Sequence, residues 1–92
     1  MSAASGPVVT LYGRPGCHLC AEARAVLRGL RDRRGGFRLH EVDIESDDAL
    51  HRAYLERIPV VALDGEELYD FFVDADDLAA RLDRAHGPSS VQ

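Results

Sequence analysis

The pair Cys17 and Cys20 is the feature that most constrains the fold, because it lies at the junction of a predicted strand and a predicted helix. These are the two cysteines of the chain. The apolar run Val8–Tyr12 precedes them, and apolar residues recur at helical spacing after them. Since a helix N-terminus presents unpaired N–H groups and partial positive charge, it favours a thiolate. The placement indicates a strand–turn–helix unit with thiol redox chemistry.

Length and composition predict one small folded domain. We assign it to residues 8–86, with flexible tails at residues 1–7 and 87–92. The sequence has no run of about 18 apolar residues and no signal-peptide pattern, so we expect a cytoplasmic protein without membrane contact. The net charge is −5, and no basic stretch is interleaved with aromatic residues, which argues against nucleic-acid binding.

Hydrophobic periodicity and turn signals predict the element order β-α-β-α-β-β-α. Strands are predicted over residues 8–12, 37–44, 60–63 and 66–72, and the last two are joined by a hairpin turn at Asp64–Gly65. The first helix begins near Cys17 and ends at Gly35–Gly36. The second helix is N-capped by Ser46. The third is capped by Asp74 and ends at Gly87–Pro88.

This order predicts an α/β fold with a four-stranded mixed sheet flanked by helices on both faces. A helix between the first two strands implies that they run parallel, whereas the hairpin implies an antiparallel pair. The strand Val60–Leu63 has four apolar residues with no polar alternate, so we expect it at the centre of the sheet, covered on both faces.

The two cysteines are predicted to have different roles. Cys17, at the helix start, is the expected nucleophile, and Cys20, one turn further and more enclosed, is the expected resolving thiol. Two alternatives remain open. A structural disulfide across so short a loop would contribute little stability. A metal site would need further ligands, since two cysteines supply only half of a zinc coordination shell, so the shell would be shared between subunits.

Together, the Cys pair after the first strand, Ile58–Pro59 before the third, the Asp64–Gly65 hairpin and the acidic cap of the last helix resemble a glutaredoxin. The chain is most similar to the short bacterial glutaredoxin-like group, over roughly Val8 to Arg84. The resemblance implies a thioredoxin-like fold and a cis peptide bond at Pro59, facing the reactive cysteine. A cis bond there would expose the backbone of Ile58 for pairing with an extended substrate.

The resemblance also suggests substrate-site residues around Cys17. Arg14 stands three positions before it, where glutaredoxins commonly have a basic residue that lowers the thiol pKa and attracts a substrate carboxylate. Tyr12 ends the first strand, where a residue often lines the substrate groove. His18 replaces the proline of many glutaredoxins, and its imidazolium could stabilise the neighbouring thiolate.

One segment departs from the family pattern. Glutaredoxins that use glutathione place two glycines ahead of an acidic pair that grips the tripeptide. Here Asp76 and Asp77 align with the acidic pair, but Val73 and Asp74 occupy the glycine positions. Val73 adds bulk and Asp74 adds negative charge beside a ligand that itself carries carboxylates. Another low-molecular-weight thiol or a protein disulfide is therefore an equally supported substrate.

The sequence thus predicts a glutaredoxin-like thiol–disulfide oxidoreductase that reduces protein or small-molecule disulfides. It would act as a monomer and need no cofactor beyond its own redox-active disulfide, which a low-molecular-weight thiol or a reductase would reduce. Two other classes of function are kept as alternatives. One is a redox-inert or regulatory module that binds a partner at Pro59, and the other is a metal or iron–sulfur carrier.

Overall fold

The computed structural model describes residues 6–86, without the side chains of residues 85 and 86. The predicted end of the last helix at Gly87–Pro88 and most of both predicted tails lie outside these residues. The elements, in chain order, are β1 (Val8–Gly13), α1 (His18–Arg34), β2 (Arg38–Asp43), a 3-10 helix (Ile44–Ser46), α2 (Asp48–Tyr54), β3 (Val60–Leu63), β4 (Glu66–Asp70) and α3 (Ala75–His86).

The four strands form one mixed sheet in the order β2-β1-β3-β4. β1 runs parallel to β2 and antiparallel to β3, and β3 and β4 form an antiparallel hairpin with an irregularity between Val61 and Ala62. β3 therefore lies inside the sheet, as its apolar run predicts. The predicted fold class and element order are confirmed.

Side chains alternate between the two faces of the sheet, and each face has its own apolar cluster. Val9 and Leu11 of β1 pack in one cluster with Leu27 of α1 and with Leu78 and Leu82 of α3. This cluster is the larger part of the core and holds α1 and α3 on the same side of the sheet.

A smaller cluster lies on the opposite face, under α2. Its buried members are Cys20, Ile44 and Ile58, and Tyr12 and Tyr54 pack against it. Cys20 belongs to α1 but contributes to this second cluster. The first turn of α1 is therefore anchored in this second cluster.

The segment after β2 differs from the sequence prediction. Ile44 lies in a 3-10 helix and not in a strand, and α2 begins after Asp47, whose carboxylate accepts the N–H groups of Ala49 and Leu50 at 2.7 and 3.2 Å. The prediction that Ser46 caps α2 is wrong. The Ser46 hydroxyl instead donates to the Asp43 carbonyl, because it sits in the last position of the preceding turn.

Specific bonds hold the start of β1 and the start of α3. Pro7, assigned to the N-terminal tail, is buried, and its carbonyl accepts the N–H of Arg38 at 2.9 Å. Before α3, the Asp74 carboxylate accepts the Asp77 N–H at 3.0 Å, so Asp74 caps α3 as predicted. No helix within residues 6–86 has the length and apolar character to cross a membrane.

Candidate functional site

Cys17 and Cys20 form a disulfide bond at the start of α1, with their Cα atoms 5.2 Å apart. Cys17 is the N-cap residue, in an extended conformation, and its sulfur accepts the backbone N–H of Cys20 at 3.2 Å. A sulfur thus takes the capping position that an oxygen usually takes in a helix. Cys17 is partly exposed, whereas Cys20 is fully buried. The two sulfurs therefore differ in access, in the direction that the sequence predicts for nucleophile and resolving thiol.

Gly13, the last residue of β1, lies directly beneath this pair. A Cβ added there would be 3.0 Å from the sulfur and 3.1 Å from the Cβ of Cys20. Contacts this short require a neighbouring atom to move, and Cys20 is enclosed on all sides. A residue without a side chain at the end of β1 thus lets the Cys pair sit against the strand without displacing Cys20.

The Ile58–Pro59 peptide bond is cis and borders the same cluster. The Ile58 N–H donates to the Tyr54 carbonyl at 3.0 Å, and the Pro59 carbonyl accepts the N–H of Phe71 at 2.7 Å. Within residues 6–86, no hydrogen bond to the Ile58 carbonyl is found. Of the backbone groups expected to pair with a substrate, the carbonyl of Ile58 thus has no partner among the described residues, whereas its N–H is engaged.

Tyr12 is stacked on Tyr54 of α2, with ring centroids 4.5 Å apart and planes at 19°. The Tyr54 hydroxyl donates to Glu67 at 2.7 Å, and this bond to a carboxylate raises the pKa of Tyr54 to about 12. The guanidinium of Arg57 lies 5.4 Å from the same ring. Tyr12 is thereby held against α2 on the Cys20 side of the sheet. The sequence analysis did not assign Tyr54 to the site, because its spacing indicates only the apolar face of a helix.

Arg57 links this aromatic pair to β4. Its Nε and Nη2 both bond Asp70 at 3.0 Å, and Nη2 also bonds Glu67. The hydrogen bonds from Arg57 and Tyr54 lower the pKa of Glu67. The cation is thus fully engaged with carboxylates next to the hairpin that follows Pro59.

Arg14 faces away from the aromatic pair. Its side chain lines an open cavity of about 350 Å³ between α1 and β2, together with Arg24 and Glu41. The Nε of Arg14 is buried and has no hydrogen-bond partner among the described residues. Arg24 and Arg28, by contrast, both donate hydrogen bonds to Glu41. Burial alone would raise the pKa of Glu41, but these hydrogen bonds lower it. Arg14 is therefore the cation near Cys17 that is left without a carboxylate.

His18 and Asp77 both contact other side chains of the protein. His18 is 87% exposed on the first turn of α1, and its ring bonds Glu22 at 3.0 Å. Asp77 accepts bonds from the Tyr69 hydroxyl and from Arg81, and these bonds lower the pKa of Asp77. Asp76 is exposed. Of the two acidic residues expected to grip a ligand, Asp77 is therefore already bound within the protein.

Two exposed aromatic residues lie next to Pro59, and the sequence analysis did not identify them as part of the site. Phe71 and Phe72, between β4 and α3, are 46% and 72% exposed. The sequence analysis continued β4 through both of them, but the strand ends at Asp70 because Phe71 has φ 74°. Two adjacent phenylalanines in a strand point to opposite faces of the sheet, so no single apolar cluster could bury both, and this was the available signal.

The arrangement can hold a thiol pair for exchange, whereas a metal would need ligands from elsewhere. Among residues 6–86 no group of three or more His, Cys, Asp or Glu side chains could hold a metal ion. The Cys pair, the cis-Pro59 loop and Tyr12 come together at one end of the sheet. Arg14 lines the cavity beside β2, His18 contacts Glu22, and Asp77 accepts bonds from Tyr69 and Arg81.

Comparisons with known proteins agree with this architecture. The family model described as Glutaredoxin-like domain (DUF836) matches residues 8–83. Protein Ne2328 from Nitrosomonas europaea is 35% identical, with 84% of this chain and 92% of that chain covered and a TM-score of 0.70. A structural-genomics target protein from X. campestris is 40% identical, covers 83% and 96%, and has a TM-score of 0.66. A thioredoxin variant from Halobacterium salinarum, 21% identical with 91% and 78% covered and a TM-score of 0.65, shares the fold.

Proposed function

The chain belongs to the glutaredoxin-like domain family (DUF836), and from this membership we propose that it is a thiol–disulfide oxidoreductase that reduces disulfides by dithiol exchange. The observation that carries the proposal is the position of the Cys17 sulfur, which caps α1 and accepts the Cys20 N–H. The thioredoxin-like fold and the Cys pair support a thiol redox role.

The first step is attack by the Cys17 thiolate on one sulfur of a substrate disulfide. A new S–S bond joins Cys17 to the substrate, the substrate S–S bond breaks, and the departing sulfur leaves as a thiolate that takes a proton from water. The hydrogen bond from the Cys20 N–H to the Cys17 sulfur favours the ionised form of Cys17, and so does the partial positive charge of the α1 N-terminus. We therefore expect the pKa of reduced Cys17 to lie below that of a free thiol.

The second step uses Cys20. After losing its proton, its sulfur attacks Cys17, the Cys17–Cys20 bond forms, and the second substrate sulfur leaves as a thiolate. Two electrons have then passed from the thiol pair to the substrate. The burial of Cys20 supports this order, because a bulky disulfide cannot reach it first. The bridged pair observed here is the oxidised product of this half of the cycle.

We propose that the surface beside Cys17 and Pro59, called here the groove, binds an extended segment. The carbonyl of Ile58, which has no partner among the described residues, would be one backbone acceptor next to the cis-Pro59 bond, and Tyr12 would be the aromatic wall. Arg14, whose Nε lacks a partner among the described residues, is proposed to attract a substrate carboxylate, and Asp76 and His18 to meet the substrate from exposed positions.

The cycle closes when a low-molecular-weight thiol or a reductase reduces the Cys17–Cys20 disulfide by the same exchange chemistry. No organic cofactor enters these steps. The proposal places the protein, as a monomer, in a reducing compartment such as the cytoplasm, where thiols are kept reduced. Its partners would be disulfide-containing proteins or small disulfides.

Serine substitutions of the two cysteines test the proposal. We expect Cys17→Ser to lose reduction of bis(2-hydroxyethyl) disulfide by on the order of a thousandfold, since the nucleophile is gone. Cys20→Ser should instead accumulate a mixed disulfide at Cys17 that mass spectrometry detects. Asp32→Asn, at an exposed site on α1, serves as the matched control. Full activity of Cys17→Ser would refute dithiol exchange and favour a redox-inert binding module.

A further inference from the structure

Phe71 and Phe72 form an exposed aromatic surface next to the proposed reaction site, called here the Phe71–Phe72 surface. The two residues are 46% and 72% exposed, the largest values among the exposed large apolar residues of the described chain. The Phe71 N–H donates to the Pro59 carbonyl at 2.7 Å, which places this surface directly beside the cis-Pro59 loop. Its neighbour across that loop is the cluster that contains Cys20 and Ile58.

The backbone at Phe71 is unfavourable for the residue that occupies it. Its φ of 74° lies in the left-handed region, where a bulky L side chain clashes with its own backbone and glycine does not. Bonds from Phe71 to the Pro59 carbonyl and from Phe72 to the Asp70 carbonyl hold this conformation. Since nearly half of Phe71 and most of Phe72 are exposed, burial in the core does not account for two aromatic residues here. A strained residue with an exposed apolar side chain points to a role in recognition.

The rim of this surface is negatively charged. Asp74 and Asp76 follow within five positions of Phe71, and both are exposed. Asp76 makes no hydrogen bond or ion pair within residues 6–86, and the nearby cation Arg57 is engaged by Asp70 and Glu67. An apolar centre with an acidic rim complements a segment that carries an apolar and a basic side chain.

We propose that the Phe71–Phe72 surface docks a segment of a disulfide-bonded partner protein, one that presents an apolar and a basic side chain beside its reactive cysteine. The inference rests on the proposed function and adds the substrate class. The ring of Phe72 covers the apolar side chain, and Asp74 and Asp76 face the basic one. Glutathione fits this surface poorly, because it offers carboxylates to an acidic rim and little apolar area. A second copy of the chain would bring its own acidic rim against this one.

The test measures kcat/KM for symmetrical disulfides of short peptides whose cysteine is flanked by Leu and Arg, by Ser and Arg, or by Leu and Glu. Bis(2-hydroxyethyl) disulfide serves as a substrate too small to reach the surface. Wild-type protein should prefer the Leu–Arg peptide by about tenfold over each of the others, roughly what one buried apolar contact or one charge reversal contributes. Equal rates on all three peptides would overturn the inference.

The variants are Phe72→Ser and Phe71→Gly, with Val26→Ser as a matched exposed apolar control on α1. Each Phe variant should lose about tenfold in kcat/KM for the Leu–Arg peptide through a higher KM, while the small disulfide keeps its wild-type rate. Phe71→Gly should also raise the thermal midpoint, because glycine relieves the left-handed backbone. A lower midpoint would contradict the strain argument, and an equal loss on all substrates would contradict docking.

The two levels of the proposal fail differently. If wild-type protein reduces none of the four substrates, the proposed oxidoreductase function is wrong. If it reduces bis(2-hydroxyethyl) disulfide but shows no preference among the peptides, only the docking inference is wrong. If sedimentation shows a wild-type dimer that Phe72→Ser converts to a monomer, the surface binds a second copy and the inference is likewise overturned.

Discussion

Two segments border the same groove but differ in how well the local conformation suits their residues. One is the turn that holds the two cysteines, and the other is the loop between β4 and α3. In the cysteine turn, each local preference agrees with the fold: Gly13 allows close approach, and Cys17 caps the helix. In the β4–α3 loop, Phe71 adopts a conformation that disfavours it, and two phenyl rings remain in solvent. The contrast supports the two proposals made above, that the first region performs thiol chemistry and that the second contacts a partner.

Reactivity of Cys17 gives the largest expected effect and would sharpen this contrast. At pH 6 the reduced protein should be alkylated by iodoacetamide at least about tenfold faster than a free cysteine peptide, because the α1 N-terminus favours the thiolate. Mass spectrometry of the labelled protein assigns the site, with Cys17→Ser as the control. A rate equal to that of the peptide would mean that the helix start does not activate the thiol.

The close contact at Gly13 gives the next largest effect. Gly13→Ala should lower the free energy of unfolding by about 1–3 kcal/mol, the usual result of adding a methyl group to a packed site. Gly29→Ala in α1 is the matched control, since its added Cβ meets only the flexible end of Arg33 and the helix gains up to about 1 kcal/mol from alanine. Urea denaturation measures both, and a loss of the same size in Gly29→Ala would remove the claim of a special contact at Gly13.

The smallest expected effect is that of Asp77→Asn, which tests how the start of α3 is stabilised after the β4–α3 loop. Bonds from Tyr69 and Arg81 lower the pKa of Asp77 from its ordinary value of 3.8. A carboxylate with a lowered pKa contributes stability that is fully present above that ordinary value and is lost as the pH falls below it, towards the folded pKa. Asp77→Asn should thus be less stable than wild type at pH 7, and the difference should shrink below about pH 4.

Thermal unfolding of both proteins from pH 3 to pH 7 checks this prediction. A difference that stays constant across the range would mean that the charge of Asp77 makes no contribution. A difference that grows on acidification would reverse the sign argued here.

Much of the fold was predictable because its signals are local. Strand β3, the Asp64–Gly65 turn and the Asp74 cap each depend on residues within a few positions of one another. The 3-10 helix after β2 was missed because Asp43 and Ser46 form a turn that competes with both strand and helix patterns. The family resemblance, carried by the Cys pair and Ile58–Pro59, was confirmed by the match over residues 8–83.

The candidate site was only partly predictable. Cys17 and Cys20 could be named from their spacing, but the stacking of Tyr12 on Tyr54 joins residues 42 positions apart, and no local pattern encodes it. The direction of Arg14, into a cavity beside β2, depends on which side of the sheet α1 covers. The roles predicted for Arg14, His18 and Asp76 stay predictions.

The sequence by itself determined the order of the elements, the strand–turn–helix position of the two cysteines and the family, because these depend on short-range periodicity and turn chemistry. Only the tertiary structure decided which side chains share the groove. In the folded protein, Asp77 accepts bonds from Tyr69 and Arg81. Phe71 adopts a left-handed conformation in which its N–H donates to the Pro59 carbonyl. Such choices follow from contacts between segments distant in the chain, whose geometry is set when the sheet and helices pack together.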